Sequence, residues 1–306
     1  MGDSPRVPQL GVGLAYQEAL RPFIESSPGA FDFLEVVPDI IWTDLGPERH
    51  PRYVEDPEAV AFLNRVHARM RVVPHSIGLS IGSAHQFNLD HVEQIARWHR
   101  WLGFPWHSDH FAYNMALAQH TGGEVNVGLT MPLPFDRETL DLLVSRVAAI
   151  RKRIPVPFLL ENNVYYFDLI EGEMDEADFF NTLCEQSGCW LIMDLHNVYV
   201  NSRNHPNFDP IAFLERVNLD YAVELHVAGG MEYDGFYLDA HSGPIPPAVW
   251  DLLERALPRC PNLGGVVFEL LGSWFGPMGE ERLAAELGRM RELWLRYQQP
   301  ARRERP

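Results

Sequence analysis

The stretch Leu191 to Asn201, LIMDLHNVYVN, runs from a short apolar segment straight into Asp194, His196 and Asn197. A segment of that length, apolar throughout and ended by polar side chains, suits a parallel strand covered on both faces. The C-terminal ends of such strands are where α/β barrels place their chemistry. The same design recurs at RVVPHS (71–76), PWHSDH (105–110), PFLLENN (157–163), YAVELH (221–226) and GVVFEL (265–270), each delivering His, Glu or Asp near its end.

Strands are expected at 10–14, 31–37, 71–75, 105–110, 157–162, 190–195, 221–227 and 265–270. Helices are expected to follow at 17–26, 57–69, 89–101, 137–152, 177–187, 210–217, 247–257 and 280–298. Leu283, Leu287, Met290, Trp294 and Tyr297 make an apolar stripe at helical spacing, and Leu140, Leu143, Val144, Val147 and Ile150 another, both read as core. Eight strand–helix pairs predict a (β/α)8 TIM barrel in the α/β class, one domain over residues 1–299 with a disordered tail at 300–306. Helix-to-strand connections are short, as at Ser187-Gly188, whose glycine suits a helix C-cap. Strand-to-helix connections are long and crowd one face. The longest, Phe111 to Asp136, reads as a lid or a hairpin over the barrel mouth.

Charge narrows the partners. Against 25 Lys and Arg stand 42 Asp and Glu, a net charge of -17, so no basic face is available to neutralise phosphates. Nucleic acid and anionic membrane are therefore excluded as expected partners. Cys184, Cys189 and Cys260 are odd in number and lack CxxC spacing, which points away from a disulfide framework or thiolate zinc site and toward buried small hydrophobes in a reducing cytoplasm. Neither a signal peptide nor a membrane-spanning run is visible.

Projected onto one face, the strand ends collect His75, His110, Glu161, Asp194, His226 and Glu269, joined by Asp239 and His241 from the loop after the seventh strand. Eight imidazoles and carboxylates exceed what one ion takes. The inventory suits two or three ions with a bridging carboxylate, and its nitrogen and oxygen donors suit Fe, Mn or Zn. Glu161, on a central strand of the set, is the expected bridge. His50, His67, His85, His91, His99, His107, His120 and His205 fall in helices or loops and are read as ordinary surface residues.

The segments LLENN (159–163), MDLHNVYVN (193–201), ELHVAGG (224–230), LDAHSGPIP (238–246) and VVFEL (266–270) resemble, in order and spacing, the motifs of a TIM-barrel family of multinuclear non-haem iron oxygenases and oxidases. That family includes the catalytic subunit of methanobactin biosynthesis. GVGLAY (11–16), FDFLEVVPD (31–39), PHSIGLSIGS (74–83) and SDHF (108–111) extend the resemblance over nearly the whole chain. It implies an O2-using enzyme, with two or three iron ions, that modifies a cysteine of a ribosomally made precursor peptide; a recruiting partner subunit is a candidate partner, its requirement left open by the sequence. It further implies one iron at His75, His110 and Glu161, a second at Glu161, Asp194, His226 and Glu269, and a third at Asn197, Asp239 and His241. Glu161, Asp194 and His226 then stand at the catalytic centre. Asn197 occupies a position that is histidine in the methanobactin branch, and His196 is an added imidazole beside it.

A second reading, a divalent-metal sugar isomerase or hydrolase on the same barrel, uses a similar inventory. A sugar isomerase would want a lysine or a His/Asp pair poised for proton or hydride transfer. The only lysine, Lys152, lies on an expected helix far from the mouth.

Overall fold

The computed structural model describes residues 7–117, 124–167 and 172–298. Its eight barrel strands are Gly11–Ala15, Phe33–Val36, Arg71–Ser76, His107–His110, Phe158–Glu161, Trp190–Asp194, Ala222–Ala228 and Gly265–Glu269. Each pairs in parallel with the next along the chain, and the last closes on the first. The expected TIM barrel is therefore present as a single domain, with strand ends displaced from the sequence reading by at most two residues. His120, Gly122-Gly123 and the expected tail at 300–306 lie outside the described residues.

Two packed layers hold the fold. The outer one fills the space between sheet and helices and includes Leu140, Leu143, Val147, Ile150, Leu283, Leu287, Met290 and Trp294, the two helical stripes. A separate cluster of Phe33, Val73, Trp106, Leu159, Ile192, Val223 and Val267 plugs the inside of the barrel. Strand side chains alternate faces, so residues two positions further along point inward one layer higher. Above Phe33, Val73, Leu159, Ile192 and Val267 stand Glu35, His75, Glu161, Asp194 and Glu269, all buried. Apolar floor and polar ceiling are two consequences of one period.

Several details depart from expectation. The helix read at 17–26 opens as a 3-10 turn, Glu18–Leu20, before Arg21–Ser26. Two helices were not foreseen, Leu195–Asn204 directly after the sixth strand and Gly272–Met278 after the eighth. Val198, Tyr199 and Val200 favour strand by propensity, but Leu195, Val198 and Val200 are buried against the core, and that packing overrides the local preference. The segment after the fourth strand is an antiparallel hairpin, Tyr113–Leu117 with Glu124–Met131, and smaller hairpins follow the second and seventh strands. Gly188 ends the Glu176–Ser187 helix in the left-handed conformation, as its position suggested. His91 and His107, expected at the surface, are buried, because the helix Leu89–Leu102 turns His91 toward Trp42 and Tyr53 while His107 packs on Phe104 and Phe158. Among the others expected there, His50 and His85 are exposed and His67, His99 and His205 half-buried.

Two glycines make room for the plug. A Cβ on Gly13 would fall 2.5 Å from Phe33 Cζ, and one on Gly265 2.6 Å from the same atom. Gly13→Ala should therefore cost about 1–3 kcal/mol of unfolding free energy in urea titrations, as overpacked cores do. The cost should shrink in a Phe33→Leu background; an equal loss in both would show that Phe33 is not what fills the space.

Candidate metal centre

Register places the strand-end groups side by side. His110 is paired with Glu161 and Asp194 with His226 on adjacent strands. His75 Nε2 and His110 Nε2 lie 3.1 and 3.2 Å from Glu161 Oε2, while His226 Nδ1 lies 3.0 Å from Glu161 Oε1 and 3.4 Å from Glu269 Oε2. Glu161, Asp194, His226 and Glu269 offer donor atoms all within 4.8 Å of one another, as do His75, Glu161 and His226. Glu161 Oε2, His226 Nδ1 and Glu269 Oε2 nevertheless have no hydrogen-bond partner, although fully buried. Buried polar atoms this close without hydrogen bonds have lone pairs converging on a shared space, the arrangement that fits a cation.

Local structure fixes each ligand candidate. His110 Nδ1 lies 3.3 Å from the Ser76 carbonyl oxygen, to which it can donate, leaving Nε2 as the inward electron pair. His75 Nδ1 meets Ser108 Oγ at 2.9 Å. Asp194 caps the helix Leu195–Asn204 by accepting from the Asn197 N–H at 2.8 Å, which commits one of its oxygens. Asn162 grips the Asp194 backbone from both sides, accepting its N–H at 2.7 Å and donating to its carbonyl at 3.0 Å.

Asp239 and His241 stand beside this group. His241 Nε2 is 3.0 Å from Asp239 Oδ1 and 3.6 Å from Glu269 Oε2, and His196 Nδ1 is 2.9 Å from the same Asp239 oxygen. Asn197 Oδ1 is buried without a partner. His241 adopts a positive φ of 43°, held by the Leu271 N–H on its carbonyl and by the Ser242 N–H on the Gly229 carbonyl. Any side chain on Gly229 would collide with the Ser242 carbonyl oxygen. Of the nine residues singled out from the sequence, eight are linked through these side-chain contacts, and Asn197 reaches the set through its backbone N–H on Asp194.

It also adds two that were not. Glu35 Oε2 lies 3.2 Å from His226 Nε2, and Glu224 Oε2 accepts from the Trp106 indole N–H at 2.7 Å. Both carboxyls are buried inside the barrel. Glu35 was legible in principle, since Phe33-x-Glu35 repeats the apolar-x-acid spacing of Leu159-x-Glu161 and Val267-x-Glu269.

The family of RiPP precursor modification enzymes MbnB/TglH/ChrH, named for ribosomally synthesised and post-translationally modified peptides, matches residues 9–291. The chain belongs to this family. A UPF0276 protein of Caulobacter vibrioides (strain NA1000 / CB15N) is 29% identical over 240 residues, 78% of this chain and 79% of the relative. A UPF0276 protein of Neisseria meningitidis serogroup B is 28% identical over 296 residues, 95% of this chain and 98% of the relative. Among solved structures, D-psicose 3-epimerase from Clostridium cellulolyticum H10 superposes at a TM-score of 0.58 with 13% identity, covering 92% of this chain and 98% of that one. Endonuclease IV from Thermus thermophilus does so at 0.53 with 14% identity, covering 94% and 99%. At such identities the likeness is one of fold.

In this MbnB/TglH/ChrH member the electrostatics also call for a cation. Burial, with Glu161 and Glu269 alongside, pushes the Asp194 carboxyl well above its usual range. Burial alone would depress the His75 imidazole, but the Glu161 carboxylate outweighs it and pushes the ring up to about 9. His226 and His241 are likewise raised against the pull of burial, His226 by Glu35, Glu269 and Glu161 and His241 by Asp239 and Glu269. A metal binds the neutral imidazole, so protons compete with it below the raised pKa values. Affinity for a divalent ion should rise as pH approaches about 9. The slope should be about tenfold per pH unit for each proton displaced. Calorimetric titrations in buffers of different ionisation enthalpy should show proton release at pH 7; metal uptake with no pH dependence would contradict this ordering.

Proposed function

We propose that this protein is a multinuclear iron-dependent oxygenase or oxidase that uses O2 to modify a cysteine of a ribosomally synthesised precursor peptide. The observation that carries the reading is Glu161, whose two oxygens face different partners, Oε2 toward His75 and His110 and Oε1 toward His226. A carboxylate so divided suits a bridge between two ions. In this reading His75, His110 and Glu161 hold one ion, Glu161, Asp194, His226 and Glu269 a second, and Asp239, His241 and the unpaired amide oxygen of Asn197 a third. His196, through its contact with Asp239, orients that third set. Iron bound there supplies one-electron redox chemistry toward O2, which zinc lacks.

The chain's own residues do the rest. Glu161, Asp194 and His226 are buried at 2%, 1% and 0% exposure, which keeps bulk water from the reacting groups. His110 and His241 are the more open members, with side chains 19% and 25% exposed, so the peptide approaches on their side. All three cysteines are buried and belong to none of the donor groups, which leaves a soft-ligand position for a substrate thiolate. Ile40, Leu45, Val54, Val125, Leu129 and Phe236 are exposed apolar side chains on segments that follow barrel strands, a rim suited to a peptide and a recruiting partner protein. Lys152 caps the outer helix Arg137–Arg151, so it serves no isomerase chemistry at the mouth.

The test is direct. Iron-loaded protein should consume O2 and change the mass of a cysteine-containing precursor peptide, while the Cys-to-Ser peptide and the zinc-loaded protein should be inert. Turnover with zinc, or without oxygen, would instead support a metal-dependent isomerase or hydrolase. For the bridge, Glu161→Gln should lose more than one ion per chain by metal analysis; loss of a single ion would show that Glu161 serves only one.

A further inference from the structure

His226 differs from the other two imidazoles around Glu161 in the nitrogen it turns inward. His75 and His110 face Glu161 through Nε2, whereas His226 faces Glu161 and Glu269 through Nδ1. Its Nε2 points the other way, to Glu35 Oε2 at 3.2 Å. Both nitrogens face carboxylates, which can only accept; with a cation between Nδ1 and the Glu161 and Glu269 oxygens, Nδ1 would give its electron pair to the ion and the one remaining ring proton would lie on Nε2, on Glu35. Glu35 is well placed to enforce that choice. It is 1% exposed, on a strand paired on both sides, with Ala15 and Val73 as its neighbours in register. Its carbonyl also accepts from the Tyr16 N–H at 2.8 Å. Below it, Glu224 shares a 4.8 Å neighbourhood with Glu35 and His226 and is tied by the Trp106 indole to the apolar plug. The plug, the two carboxyls and the imidazole are therefore linked by a continuous run of contacts inside the barrel.

We propose that Glu35 is the positioning residue for His226, accepting its Nε2–H and so committing Nδ1 to the metal. The proposal rests on the metal-centre reading but not on iron or O2, so diamagnetic zinc tests it. In zinc-loaded protein with 15N-labelled histidine, long-range 1H–15N spectra assigned with a His226→Gln variant should show His226 protonated on Nε2 and metal-bound through Nδ1. His110 should show the opposite pattern. Glu35→Gln keeps an acceptor oxygen and should preserve the His226 pattern. Glu35→Leu should abolish it and weaken zinc binding by about 10–100-fold, as loss of an outer partner does. If Glu35→Leu does not fold, the wild-type ring pattern and its retention in Glu35→Gln decide the matter. Zinc bound with His226 protonated on Nδ1, or bound equally tightly with an unchanged pattern in Glu35→Leu, would overturn the positioning role alone. Loss of an ion in Glu35→Gln, with His226 protonated on neither nitrogen, would overturn it by making Glu35 a ligand. Wild-type protein that takes up no zinc would overturn the metal-centre reading and this proposal together.

Discussion

Carboxyl groups held inside an apolar barrel are the constraint on which the rest of this structure depends. Glu35, Glu161, Asp194, Glu224 and Glu269 are all buried, directly above a floor of Phe33, Val73, Trp106, Leu159, Ile192, Val223 and Val267. Burying ionised carboxylates is costly unless a cation or a set of donors compensates them. The imidazoles of His75, His226 and His241 offset part of that charge, and their raised proton affinity records how strongly the carboxylates pull. A metal would replace those protons with a larger positive charge at the same place. The folding problem and the chemical function are thus addressed by the same group of side chains.

The rigid and the variable parts of the barrel divide along the strand ends. Below them, glycines at 13 and 265 accept Phe33, and the Asp32 carboxylate takes the Val12 N–H while pairing with Arg291 of the last helix, which pins the closing helix to the first strand. Above them, three hairpins and the loop carrying Asp239 and His241 surround the mouth. The left-handed backbone at His241 is tolerated because neighbouring segments hold it on both sides, a strained position at a point where a side chain must be aimed.

D-Psicose 3-epimerase and endonuclease IV share this architecture at TM-scores above one half. A barrel that gathers groups at its C-terminal mouth supports many reactions, so the fold alone does not choose among them. What separates this chain is the family it belongs to and the particular donor set at its mouth.

Much of this was legible in the order of residues. Short apolar runs located the eight strands to within two residues, six of them ending in His, Glu or Asp, because strand burial writes a period and a length into sequence. Six of the nine candidate site residues followed from those runs, Asp239 and His241 from the loop after the seventh strand, and Asn197 from the family resemblance. The helix Leu195–Asn204 was not legible, since its β-branched residues favour a strand and only packing against the core reverses that preference. His91 and His107 were misplaced for a related reason: a helical or strand histidine carries no local mark of which face its neighbours will cover. Pairing was beyond sequence as well. That Glu161 divides its oxygens between His75 and His226, and that Glu35 meets His226 from 191 residues away, depends on strand register and barrel closure. Sequence determined which groups rise to the mouth; tertiary structure alone decided which nitrogen faces which oxygen, because those contacts join strands that local periodicity does not connect.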